Sequence, residues 1–169
     1  MENPHPTCRD AQVPRGSASN TVCAMSTSLY TAGYEGRAVG ELLDALVQAG
    51  VERLVDVREL PLSRRRGFSK TALGEALAEV GIDYVHVKPL GNPKPNRERY
   101  WSGDILGGAE TYRRHLHNGS YPALMALADS LDDETSCLLC FERDHTVCHR
   151  DVIVDSLLEL RPDLHVTHL

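Results

Sequence analysis

The chain has 169 residues, 41% of them hydrophobic and 25% charged, with a net charge of −6. That size and apolar content suit one globular domain with a real core and exclude a largely disordered chain. The acidic balance argues against broad electrostatic capture of nucleic acid, and no apolar run approaches the length of a signal peptide or membrane span.

Residues 1–27 are expected to form a disordered extension. The stretch up to Ala24 holds three prolines and the isolated Cys8 and Cys23, with little periodicity, and Met25-Ser26-Thr27-Ser28 reads like a translation start. A targeting peptide is disfavoured, because Arg9 and Arg15 sit beside Glu2 and Asp10 and no amphipathic face emerges.

Residues 28–169 read as a single α/β domain. Leu29 to Ala32 forms a short strand ending in Gly33-Tyr34-Glu35-Gly36, and Leu42, Leu43, Leu46 and Val47 recur at helical spacing up to Gly50. Arg53 to Val57 is the next strand. Leu73, Leu77 and Val80 then line a helix stopped by Gly81, and Ile82 to Val87 is the strand after it. Pro89 to Gly108 reads as a long polar loop. Helices are expected around Ala109 to His117 and Tyr121 to Ser130, a buried strand over Thr135 to Phe141, an amphipathic helix over Val152 to Leu160, and a last strand over His165 to His168. Strands alternating with helices across short loops imply a three-layer domain. Its central sheet is mainly parallel, of about five strands, with helices on both faces.

In such a sheet ligands collect beyond the carboxyl ends of the strands. The exits are polar: Tyr34 and Glu35 after the first strand, Asp56 and Arg58 after the second, His86 and Lys88 after the third, Glu142 and Arg143 after the fourth. The fourth leads into Cys148-His149-Arg150 at the first turn of a helix, where unpaired backbone N–H groups attract anions and stabilise a thiolate. Each residue singly has an ordinary reading, with Asp56 capping a turn, Arg58 pairing with it, and His86 half-buried. Together they predict one rim centred on Cys148 and Arg150.

Three functions fit that rim. In the first, an enzyme binds an anionic, phosphate-bearing or nucleotide-like small molecule: Arg58, Arg150, Asp56 and Tyr34 hold it, Cys148 is the nucleophile or redox thiol, and Glu142 or His149 carries the proton. The cysteine-to-arginine spacing of two residues does not wrap an oxyanion as tyrosine-phosphatase or rhodanese loops do. In the second, Cys148 binds zinc or iron with Cys140, His145 or His149, although the usual paired ligand spacing is missing. Cys137 and Cys140, three apart on a strand, face opposite sides and so do not serve as joint ligands. In the third, Lys88, Lys94, Arg97, Arg99, Tyr100 and Trp101, with the Arg64 to Arg66 run, track a single strand of nucleic acid; the alternative for that run is a mobile flap or a plain solvated loop. His115 and His117 do not share a helix face, and His165 and His168 are expected at the surface. Five cysteines at irregular spacing place the protein in a reducing cytosol.

Thr31-Ala32-Gly33-Tyr34-Glu35-Gly36-Arg37, Val55-Asp56-Val57-Arg58, Leu90-Gly91-Asn92-Pro93 and Cys140-x-Glu142-x5-Cys148-His149-Arg150 together resemble the domain of unknown function 488 family, from about Leu29 to the C-terminus. The resemblance implies a small prokaryotic cytosolic α/β protein and no established reaction. It singles out Asp56, Arg58, Glu142, Cys148, His149 and Arg150.

Overall fold

The computed structural model describes residues 27–169. Five parallel strands form one sheet: β1 (Ser28–Gly33), β2 (Arg53–Asp56), β3 (Asp83–His86), β4 (Ser136–Cys140) and β5 (His165–His168), in the order β3-β2-β4-β1-β5. Helices α1 (Val39–Gln48) and α2 (Lys70–Glu79) connect the first three strands. After β3 come α3 (Lys94–Trp101), α4 (Ile105–His115) and α5 (Tyr121–Ser130), and α6 (His149–Leu160) lies between β4 and β5.

The chain steps one way across the sheet through β2 and β3, then returns to insert β4 between β2 and β1. Because crossovers between parallel strands are right-handed, opposite stepping puts the two helix groups on opposite faces. The core divides accordingly. Leu42 and Leu46 of α1 and Leu73 and Leu77 of α2 pack on Ala32, Leu54, Cys137 and Leu139. Tyr112, Leu124, Leu127, Ile153 and Leu157 pack on Leu29, Val55, Leu138 and Cys140. Alternate residues of β4 thus face opposite layers, and complete burial of a leucine contributes about 1.5–3 kcal/mol. Cys137 and Cys140 lie on opposite faces, as their spacing predicts.

Gly50 and Gly81 follow α1 and α2 at φ +68° and +75°, in the left-handed region that lets the chain turn back into a strand. The apolar stripes are narrower than the sequence suggests. Val47 and Val80 are 52% and 42% exposed, because α1 and α2 press only Leu42, Leu46, Leu73 and Leu77 fully onto the sheet.

The expected loop over Pro89 to Gly108 is instead largely helical: a 3-10 turn at Lys88–Leu90, then α3, then the start of α4 at Ile105. Helix α3 escapes apolar periodicity because the residues it buries, Asn96 and Tyr100, include an amide. They stand one turn apart on one face, and Asn96 Nδ2 donates to Asn92 Oδ1 at 2.9 Å and to the Gly108 carbonyl at 3.0 Å. Pro95 in the first turn costs no hydrogen bond.

The expected extension lies outside the described residues except for Thr27. Thr27 is tied in: its carbonyl accepts from His165 N at 2.9 Å and its hydroxyl donates to Asp132 at 2.9 Å. Among the described residues no helix is long and apolar enough to cross a membrane.

Candidate functional site

Register places Gly33 beside Cys140 and Asp56 beside both Leu139 and His86, so four strands end at one rim. Beyond it lies a cleft of about 620 Å³. Cys140, Glu142, Cys148 and His149 line one part, with Tyr34 and Arg58 beside them; the loop after β2 adds Arg64 and Arg65, and α3 adds Arg97, Tyr100 and Trp101. Arg58 and Cys148, 90 residues apart in number, therefore share one cavity.

The β4–α6 loop is held in place by β1. Glu35 N donates to the Phe141 carbonyl at 2.9 Å, and Arg143 N donates to the Glu35 carboxylate at 3.3 Å. Gly33 permits the approach, since a Cβ there would overlap the Glu142 carbonyl. From the other side Arg150, 1% exposed, donates to the Glu142 carbonyl, and to that of Arg143 at 2.8 Å. Arg150 does not line the cleft, and its two bonds fix the backbone that carries Glu142.

Arg58 lines the cleft but is similarly engaged. Its guanidinium donates to Asp56 at 2.5–3.1 Å, to the Tyr34 hydroxyl at 3.0 Å and to the Phe68 carbonyl at 2.9 Å. Tyr84, which the sequence reading missed, donates to Asp56 Oδ2 at 2.6 Å. Burial opposes the charge on Arg58, but the bonds to Asp56 and its negative charge outweigh this and raise its pKa. Asp56 is fully buried and away from the cleft. Tyr34, which lines the cleft, stacks one face on Phe68 with ring centres 4.3 Å apart. His86 bonds through Nε2 to the Arg58 carbonyl at 2.8 Å, the ordinary role its position suggested.

Four polar side chains meet as a quartet beside the cleft. Cys140 and Cys148 both direct their thiols at Glu142 Oε2, at 3.0 and 3.1 Å, and both sulfurs stand 3.7 Å from His149 Nδ1. His149 Nε2 bonds to the Val57 carbonyl at 3.0 Å, which requires the proton on Nε2 and leaves the Nδ1 lone pair facing the sulfurs. Tyr112 packs edge-on against this imidazole, ring centres 4.9 Å apart. Cys148 caps α6.

The environment pushes the two buried thiols in opposite directions. The hydrogen bond from Cys148, and then the nearby His149 and Glu142, pull the Cys140 thiol well below its usual range. Burial, and then the bond to and charge of Cys140, push Cys148 well above it. The asymmetry runs opposite to the expectation, which placed the stabilised thiolate on Cys148 at the first turn of α6. Burial, with the adjoining Cys140, pushes Glu142 up to about 7. Burial disfavours a charge on His149, yet the neighbouring Cys140 outweighs it and raises that pKa.

His145 stands outside the quartet. It bonds Asp151 at 2.7 Å and stacks on His168 with ring centres 3.5 Å apart; His168 in turn bonds the Thr31 hydroxyl at 2.7 Å. The residues read as a nucleic-acid track are mostly engaged: Tyr100 is buried, Arg97 pairs with Glu59 at 2.9 Å, and Arg99 pairs with Asp104 at 2.7 Å. Trp101 is 65% exposed at the cleft. Arg64, Arg65 and Arg66 are exposed, and Arg65 donates to the Arg37 carbonyl at 3.1 Å.

The chain matches no curated protein and no solved structure. A family model matches residues 38–157, which include β2, β4, the quartet and most of α6; the Thr31–Arg37 segment and β5 fall outside the match. The chain therefore belongs to the family described as Domain of unknown function DUF488.

Proposed function

We propose that the protein is an enzyme acting on an anionic, phosphate-bearing small molecule of nucleotide type, with the cysteine-containing quartet as its reacting centre. The observation that carries this reading is that two thiols, a carboxylate and an imidazole meet within hydrogen-bonding reach along one cleft. Convergent reactive groups in a concavity of this size are the usual form of an active site.

The opposite wall suits the substrate. Arg64 and Arg65 line the mouth and are exposed, so they can meet phosphate without breaking a buried pair. Arg97 exchanges its bond to Glu59 for one to the substrate. Trp101 and Phe141, both exposed at the rim, offer faces to a planar base. Arg58 and Tyr34 shape the wall, Asp56 holds Arg58 from behind, and Arg150 positions Glu142. Free thiols in the reacting centre require a reducing compartment, so the cytosol is the proposed location.

A thermal-shift series with nucleoside mono- and diphosphates, nucleosides and inorganic phosphate tests the reading. At least one phosphorylated compound should raise Tm in the wild type, with the shift reduced in Trp101→Ala and in Arg64→Ala/Arg65→Ala. Turnover of that compound should be lost in Glu142→Gln while binding persists. Equal behaviour of wild type and the arginine variants towards every compound would defeat the proposal.

A further inference from the structure

The three donor atoms Cys140 Sγ, Cys148 Sγ and His149 Nδ1 lie within 4.8 Å of one another, and all three residues are buried. We infer that they form the coordination site of a tightly held zinc ion, with Glu142 as an exchangeable fourth ligand on the cleft side. This rests on the quartet being the reacting centre and gives the sulfurs their part: they are ligands rather than attacking groups.

Geometry supports it first. Bonds of about 2.3 Å to thiolate and about 2.0 Å to imidazole set a sulfur–nitrogen edge of about 3.5 Å in a tetrahedron. Both sulfurs stand 3.7 Å from Nδ1. Small side-chain adjustments would let all three atoms reach one ion. Glu142 Oε2 stands 3.0 and 3.1 Å from the two sulfurs, and a swing of its side chain towards His149 would bring it to the remaining vertex.

The groups that would hold the ligands are also in place. A ligating histidine generally donates its other ring N–H to a carbonyl or carboxylate, which fixes tautomer and orientation. His149 Nε2 does this to the Val57 carbonyl at 3.0 Å, and Tyr112 packs against the ring. Arg150 holds the Glu142 backbone, and Gly33 admits the loop.

The donor set selects the metal class. Two thiolates and an imidazole favour zinc over magnesium or calcium, which prefer oxygen ligands. Three firm protein ligands with a fourth position open to a cleft is the arrangement of catalytic rather than structural zinc. A substrate phosphate or carbonyl oxygen entering between Arg97 and the quartet would take the position that Glu142 vacates, leaving Glu142 to carry a proton.

The test uses the full chain, purified with a thiol reductant, stripped with chelator and titrated with Co²⁺ alone as an optical stand-in for zinc. One equivalent per chain should bind, with a sulfur-to-cobalt charge-transfer band and the intense visible bands of tetrahedral cobalt. Cys140→Ser, Cys148→Ser and His149→Asn should each weaken binding by more than about 100-fold, beyond the usual cost of losing a second-shell partner. Cys137→Ser, on the opposite face of the sheet, should bind as the wild type does.

Should a ligand variant fail to fold, the wild type supplies a second readout. Zinc should protect Cys140 and Cys148, but not unfolded-chain cysteines, from iodoacetamide as followed by peptide mass spectrometry. Absence of the charge-transfer band, a band undiminished in Cys140→Ser/Cys148→Ser, or equal alkylation with and without zinc overturns the metal site. A folded, metal-free chain that still turns over a phosphorylated substrate sinks the zinc inference alone. One that binds cobalt but no phosphorylated compound sinks only the substrate reading.

Discussion

Cys140, at the end of β4, and Cys148, at the cap of α6, aim their sulfurs at the same carboxylate oxygen of Glu142. Two thiols held so close are one oxidation step from a bond. In metal-free protein a hydroperoxide should convert one thiol to a sulfenic acid, with the peroxide reduced to water or alcohol. The second thiol then displaces that oxygen as water and closes a disulfide. Peptide mapping should find a Cys140–Cys148 link, two hydrogens lighter than the dithiol, and a free Cys137. A link involving Cys137 would contradict its position on the far side of the sheet.

Asp56 accepts from Arg58 and Tyr84 in a nearly dry setting. Asp56→Asn leaves the Arg58 charge buried without its partner and should cost about 3–5 kcal/mol by urea denaturation. Tyr84→Phe, which removes a single hydrogen bond, should cost only about 1 kcal/mol. Equal losses in the two variants would mean that the ion pair is not what stabilises this region.

Two glycine substitutions should act with opposite sign. Gly33→Ala drives a methyl group into the Glu142 backbone and should destabilise by about 3 kcal/mol or more, with misplacement of the quartet. Gly40→Ala, in the exposed first turn of α1, meets nothing within 4 Å and should stabilise by about 0.5–1 kcal/mol. Chemical denaturation of both variants checks the pair.

His168 should make the fold acid-sensitive. His168 is exposed on the edge strand β5, but partial desolvation, and then the neighbouring His145 and Arg150, lower its pKa from the ordinary histidine value, with Asp151 opposing. The native state therefore resists protonation that the unfolded chain accepts. Stability is complete above the ordinary histidine value and falls as pH drops from there through the lowered value. Unfolding midpoints measured from about pH 7 to pH 5 should decline, and less steeply in His168→Gln. An identical slope in that variant would assign the sensitivity elsewhere.

Local pattern was enough to reveal the strands and five of the six helices, because alternation and 3.6-residue periodicity are properties of neighbouring residues. Gly50 and Gly81 marked their turns for the same reason. Of the polar strand exits, Tyr34, Arg58, Glu142, Cys148 and His149 line one cleft, whereas Asp56, His86, Lys88 and Arg150 do not. Helix α3 could not be read, since its buried face is secured by an amide network rather than by apolar side chains. Nor could roles be assigned from chemistry type alone. Arginine reads the same in sequence whether it awaits a phosphate or is already engaged within the fold, as Arg58 is by a carboxylate and a carbonyl and Arg150 by two backbone carbonyls. The insertion of β4 between β1 and β2 is a long-range choice, and it sets the Val57 carbonyl against His149 Nε2, which leaves Nδ1 facing both sulfurs. Sequence thus determined the inventory and its local frame; which groups remain free to react was decided by hydrogen bonds made across the fold.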